Sequence, residues 1–279
     1  MSCSSSSDAK GPLFLLGTGR CGSTFWQTLL CRAPGVWIWG EHNGFLRTIL
    51  QSRAVLHGCD VFQAYAGGPL PGDDAEFQDL AVAARMAWAN PFTADDVDVG
   101  LRVFIESLMT RALPSGKHRW GFKEIRYGNR GDETPRHLLD LFPDGVVVHM
   151  LRHPRGVIES AIRAWGPRPS ASPCENTAAL RAEYDRNAIR WMRINGYLLD
   201  LAGSRTGRVV AVRIEDTPRG LADLGVVLGL ELPCDHPPVN VIAPAADAQP
   251  AAERALFDEL WAAWWPRLQE VAERAGYVG

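Results

Sequence analysis

Residues 12–24 read PLFLLGTGRCGST, and this junction constrains the fold more than any other segment. A short apolar run ending in glycine suits a buried strand of a parallel sheet. The FWQTLLCRA that follows has helical spacing. Between them, Gly17–Thr24 spells G-x-x-x-x-G-S-T, the pattern of a phosphate loop with Ser23 where a lysine usually stands. Backbone N–H groups at such a turn, with the helix N-terminus behind them, form an anion cradle. A plain glycine-rich turn would match the pattern as well. The presence of Arg20, Ser23 and Thr24 in it favours phosphate, because the arginine fork suits an anion. The missing lysine, which holds the β- and γ-phosphates in nucleoside triphosphatases, points away from triphosphate cleavage.

Strand-like and helix-like patterns alternate along the 279 residues. Candidate strands are 12–17, 36–40, 119–125, 146–151 and 208–214. Candidate helices are 43–57, 75–89, 95–112, the stretch opening at Pro154, 175–202 and 221–230. A terminal helix over 252–276 is predicted to be interrupted or kinked near Pro266. Thr93 followed by Asp96 is a helix-start signal. This order predicts an α/β fold, a mainly parallel sheet with helices on both faces and a helical insertion after the second strand. Residues 1–10 read as a flexible tail and 11–279 as one domain, with the Pro/Ala-rich 233–250 a surface loop rather than a linker.

Charge excludes one broad class. The chain carries 29 basic and 32 acidic residues, a net −3. Nucleic acid is therefore not the expected partner, and any anion site must be local. The 6 cysteines form no C-x-x-C pair and no zinc spacing, so free thiols in a reducing compartment are expected. The polar N-terminus lacks a signal-peptide core, and the longest early apolar run, Leu13–Leu16, is too short to span a bilayer. A soluble, cytoplasmic protein without a membrane partner is the expectation. Some of the 10 tryptophans are expected to line a cleft.

A second anion site lies in HMLRHPRGVIESAI, 149–162. Arg152 ends the most apolar strand and Ser160 lies two turns into the next helix. The carboxyl edge of a parallel sheet is where α/β proteins bind ligands, and two anion sites on one sheet suggest a ligand with two separated phosphates. In these motifs the chain resembles the sulfotransferases that use 3'-phosphoadenosine 5'-phosphosulfate. Gly17–Thr24 is similar to their 5'-phosphosulfate loop, and Arg152, Pro154, Arg155 and Ser160 to their 3'-phosphate motif. WGFKEIR at 120–126, RVVAVRIED at 208–216 and ERAGY at 273–277 extend the resemblance in the same order. The branch containing tyrosylprotein sulfotransferases and many bacterial small-molecule enzymes is the most similar.

The resemblance implies a P-loop-like sheet, that donor as co-substrate, and no metal requirement. It assigns Gly19, Arg20, Cys21, Gly22, Ser23 and Thr24 to the 5'-phosphosulfate, and Arg152 and Ser160 to the 3'-phosphate. It makes Glu41, 21 residues after Arg20, the general base, with His42 as the alternative. Lys123 and Arg20 become the cations that neutralise the sulfuryl and leaving-group oxygens. Ile214 stands where the tyrosylprotein enzymes carry an aromatic residue against the adenine. Glu124 and Arg126 read as a surface pair, and His149, His153, Arg213 and Glu215 as structural. Residues 181–193 read as a solvated helix face, and Cys21 as loop packing. The acceptor, a small molecule or peptide, is walled by 43–113, 165–175 and 233–250. The tryptophans and the lack of a large basic patch suggest a partly aromatic or apolar small molecule over a polyanionic glycan. A P-loop kinase or nucleotide hydrolase is the rival reading.

Overall fold

The computed structural model describes residues 11–67, 89–166, 173–217, 219–233 and 251–278. The N-terminal tail, almost all of the helix expected at 75–89, and the bulk of the loops expected at 166–173 and 233–250 lie outside the described residues.

Five strands form one parallel sheet. They are β1 (Leu13–Gly17), β2 (Val36–Trp39), β3 (Arg119–Glu124), β4 (Val146–Leu151) and β5 (Val209–Arg213), in the spatial order β2-β3-β1-β4-β5. All five candidate strands are present within a residue or two of their predicted bounds. β1 is buried along its whole length, as expected of a strand with a neighbour on each side and helices above and below.

Alternate side chains of β1 enter two cores. Phe14 and Leu16 pack with α2 (Phe45–His57), α4 (Ala94–Thr110), α5 (Thr134–Leu141) and α7 (Pro173–Ser204) through residues such as Leu46, Ile105, Leu138 and Ile194. Leu13 and Leu15 pack against α1 (Ser23–Arg32) and α8 (Arg219–Leu228) through Trp26, Leu30, Leu221 and Leu224. Each fully buried side chain of this size contributes about 1.5–3 kcal/mol, and the two cores clamp the sheet between its helical layers.

A third core joins α6 (Pro154–Trp165), α7 and α9 (Ala251–Arg274). It corrects one expectation and narrows another. Residues 181–193 are not a solvated face throughout, because Tyr184, Ala188 and Trp191 are fully buried there. Charged neighbours mask an i, i+4, i+7 apolar stripe. The terminal helix also continues through Pro266 instead of breaking, since Trp264, Leu268 and Ala272 hold one buried stripe on both sides of the proline.

Two short helices pass unnoticed in the sequence: α3 (Asp60–Tyr65), capped by the Cys59 thiol, and α5. The start predicted at Thr93 is a full capping box with Asp96. Among the described residues no helix is long and apolar enough to cross a membrane.

Candidate active site

The carboxyl ends of β2, β3, β1 and β4 lie side by side, and every site residue read from the sequence falls on or just beyond them. From β1 the chain enters the glycine-rich loop. Positive φ at Arg20 (69°) and Gly22 (84°) folds it back over the sheet edge, the backbone geometry that turns N–H groups toward an anion. Gly22 caps α1 in the left-handed region, and a side chain there would also strike Ile214 at 2.7 Å. A Cβ on Gly19 would lie 3.0 Å from the Trp165 ring. Trp165 is 57% exposed, and the Arg20 guanidinium sits over it at 5.6 Å. Thr18 Oγ1, at the mouth of the loop, is buried without a hydrogen-bond partner among the described residues.

Cys21 packs beneath the loop. Burial pushes its thiol up to about 12, against the opposing pull of Ser23 and Cys21 backbone N–H groups and of Lys123 and Arg152. This is an inert packing thiol, not a nucleophile. Because β3 and β4 flank β1, Lys123 and Arg152 stand on either side of the loop.

From β4 comes Arg152, whose Nη1 donates to the Arg20 carbonyl at 3.1 Å. Ser160, buried in α6, accepts from Arg20 Nε at 3.0 Å. The two anion motifs are therefore parts of one surface. Arg155 is tied to Glu159 and Asp258 on the helical side. His149 is buried against Asn195 at 2.9 Å, and burial holds its pKa down at about 4. The His153 N–H donates to Glu215, which also accepts from Tyr277. Arg213 pairs with Asp216 and Gly276. Each of these four is held by neighbouring residues of the fold.

Glu41 follows β2, which Trp39 anchors by donating to the Met109 carbonyl at 2.7 Å. Lys123 Nζ donates to Glu41 Oε1, and Arg126 Nη1 to Oε2, both at 2.8 Å. Burial raises the Glu41 carboxyl, but these two cations outweigh it and hold the group below its ordinary value of 4.5. Lys123 is not an edge residue. β3 lies between β2 and β1, and the side chain is buried. The His42 ring turns the other way, against Phe45, Phe122 and Tyr127, and burial lowers its pKa.

Glu124 is the residue the sequence misplaces. It is fully buried, not half of a surface pair. Its carboxylate accepts from Gly44 N–H (2.7 Å), Ile125 N–H (2.9 Å) and Arg126 Nη1 (2.6 Å). It thus pins the turn carrying Glu41 and aims Arg126 at it. The sequence carried no local signal for this, because the burial of Glu124 follows from the place of β3 between β2 and β1. Ile214 is buried against the loop and forms no aromatic platform.

The family model described as the sulfotransferase family matches residues 12–217. The sulfotransferase domain of the olefin synthase from Synechococcus PCC 7002 has the same fold. It is 19% identical, with 98% of each chain covered and a TM-score of 0.50. The sulfotransferase from Alicyclobacillus acidocaldarius gives 17% identity, 95% of this chain and 96% of the other covered, and a TM-score of 0.49. No curated protein matches the sequence significantly.

Proposed function

The chain belongs to the sulfotransferase family, and from that premise we propose that it moves a sulfuryl group from 3'-phosphoadenosine 5'-phosphosulfate to a hydroxyl of a small-molecule or peptide acceptor. The observation that carries this reading is the Lys123–Glu41 hydrogen bond of 2.8 Å, which joins a cation and a carboxylate at the sheet edge beside the anion loop.

The residues present fit such a donor. Gly22 is left-handed with Ile214 2.7 Å from where a Cβ would stand, Gly19 has the Trp165 ring 3.0 Å from its own, and Thr18 Oγ1 lacks a partner among the described residues. Gly19, Arg20, Cys21, Gly22, Ser23 and Thr24 would hold the 5'-phosphosulfate, and Arg152 with Ser160 the 3'-phosphate. The donor supplies a sulfur whose bond to the bridging phosphate oxygen breaks as the acceptor oxygen bonds to it in line. Glu41 takes the acceptor proton. Its lowered pKa keeps it ionised at neutral pH, while Lys123 and Arg126 fix its orientation. Lys123 and Arg20 balance the charge gathering on the sulfuryl and leaving oxygens. Ser23, in the place of a phosphate-loop lysine, speaks against a kinase or hydrolase.

The test is transfer of labelled sulfate to a panel of phenols, alcohols, amines and tyrosine peptides in excess chelator. Transfer to at least one hydroxyl, lost in Glu41→Gln, is expected. Magnesium-dependent ATP hydrolysis with no sulfate transfer overturns the reading.

A further inference from the structure

Beyond Glu41, the chain leaving β3 gathers positive charge of which the reaction above uses only Arg126. Arg47 of α2 donates to the Arg126 carbonyl at 2.5 Å. Arg190 of α7 donates to the Ile125 carbonyl at 2.8 Å. These side chains, with Arg126, Arg130 and Asp132, line an open cavity of about 450 Å³.

The charge in this cavity is not balanced from within. Asp132 is its one lining carboxylate, and it is buried and taken by Arg47 at 2.9 Å. Arg126 is turned to Glu41 and Glu124. Arg190 and Arg130 make no ion pair with a described residue. Burial, and then the charge of Arg126, lowers the Arg190 pKa, yet a guanidinium stays protonated in proteins. Glu124 and Glu41 also act on Arg190, but they are themselves paired with Lys123 and Arg126, so an anion that enters stabilises a half-buried cation with no ion pair of its own among the described residues. Planar arginine forks match the two oxygens of a carboxylate.

We propose that this cavity binds a carboxylate of the acceptor, so that the substrate class is hydroxy acids. The inference rests on the sulfuryl-transfer reading. Arg126 joins the two places: it lines the cavity and holds Glu41 Oε2 at 2.8 Å. A carboxylate seated among the arginines therefore brings the rest of its molecule to the base.

The experiment is calorimetry on the full chain saturated with 3',5'-bisphosphoadenosine, using 3-(4-hydroxyphenyl)propionate and its amide as probes. The acid should bind about tenfold or more tighter than the amide, the usual scale of a charge-assisted contact. Arg190→Gln removes the charge and keeps a polar, half-buried side chain, and Arg130→Gln lies on an exposed turn. Each should remove most of that preference while leaving the affinity for the amide and for 3',5'-bisphosphoadenosine unchanged. Equal binding of acid and amide, binding of neither, or a preference that survives both substitutions overturns the proposal. Failure to bind 3',5'-bisphosphoadenosine overturns the donor reading instead, and the same comparison on the free protein then decides whether the cavity takes carboxylates.

Discussion

Arg20 Nε donates to Ser160 Oγ at 3.0 Å across 140 positions of chain, so the loop after β1 and the helix after β4 share one polar contact at the sheet edge. Arg152 reinforces it by donating to the Arg20 carbonyl. A side chain read as the anchor of one phosphate therefore also braces the backbone of the other anion site.

That brace separates Arg152 from Ser160 in binding. Arg152→Ala should weaken 3',5'-bisphosphoadenosine by roughly tenfold to a hundredfold, the worth of one or two charge-assisted bonds. Part of that loss should persist with adenosine 5'-phosphate, because the loop is loosened. Ser160→Ala should lose less, and mainly for the ligand that carries the 3'-phosphate. Calorimetry with both ligands decides; full affinity of Arg152→Ala for adenosine 5'-phosphate would show that the brace is idle.

The buried carboxylate of Glu124 should dominate local stability. Its three donors leave no oxygen unused, and an amide would set its own N–H₂ against an N–H or a guanidinium. Glu124→Gln is expected to cost about 1.5–3 kcal/mol, a fall in Tm of several degrees for a chain of this length. Urea unfolding measures it, and a change below about 0.5 kcal/mol would contradict the assigned network.

His149 predicts an acid sensitivity. Its folded pKa, about 4, lies below the ordinary 6.5 because burial disfavours the charged ring. The unfolded chain thus binds more protons between those values, and stability falls as pH drops from 6.5 toward 4. At about 1.4 kcal/mol per unit the loss is roughly 3 kcal/mol. His149→Gln should flatten the pH dependence of urea midpoints in that window; an unchanged slope would assign it to the carboxylates alone.

What was legible in the sequence depended on how local the signal was. β1 and β4 declare themselves as apolar runs, and the loop between β1 and α1 as glycines with one arginine. Glu124 did not, because K-E-I-R looks amphipathic until β3 is known to lie between β2 and β1. The stripe of Tyr184, Ala188 and Trp191 was present but outnumbered by charges. The arginine cavity draws on positions 47, 126, 130 and 190, four places that a net charge of −3 averages away.

The last prediction concerns the base. A carboxylate that accepts an acceptor proton must be ionised, so activity falls as pH drops through its pKa. Lys123 and Arg126 hold Glu41 below 4.5, which places the acid limb of kcat/KM below that value in the wild type. Arg126→Gln removes one of the two cations, so the Glu41 pKa rises and the acid limb moves to higher pH. Lys123→Ala should move the limb the same way, but it should also depress the plateau severely, because it removes charge from the leaving oxygens. Glu41→Gln keeps the shape and cannot take the proton. It should bind 3',5'-bisphosphoadenosine normally and lose about 10²–10⁴-fold in kcat. His42→Ala should leave more rate than Glu41→Gln, since its ring faces Phe45, Phe122 and Tyr127. Single-turnover rates across pH 4–9 separate these outcomes. If Glu41→Gln keeps more than about a third of the rate while His42→Ala is inactive, the proton goes to the histidine. If both remain active, the acceptor is already nucleophilic at neutral pH and the site works by positioning and charge neutralisation.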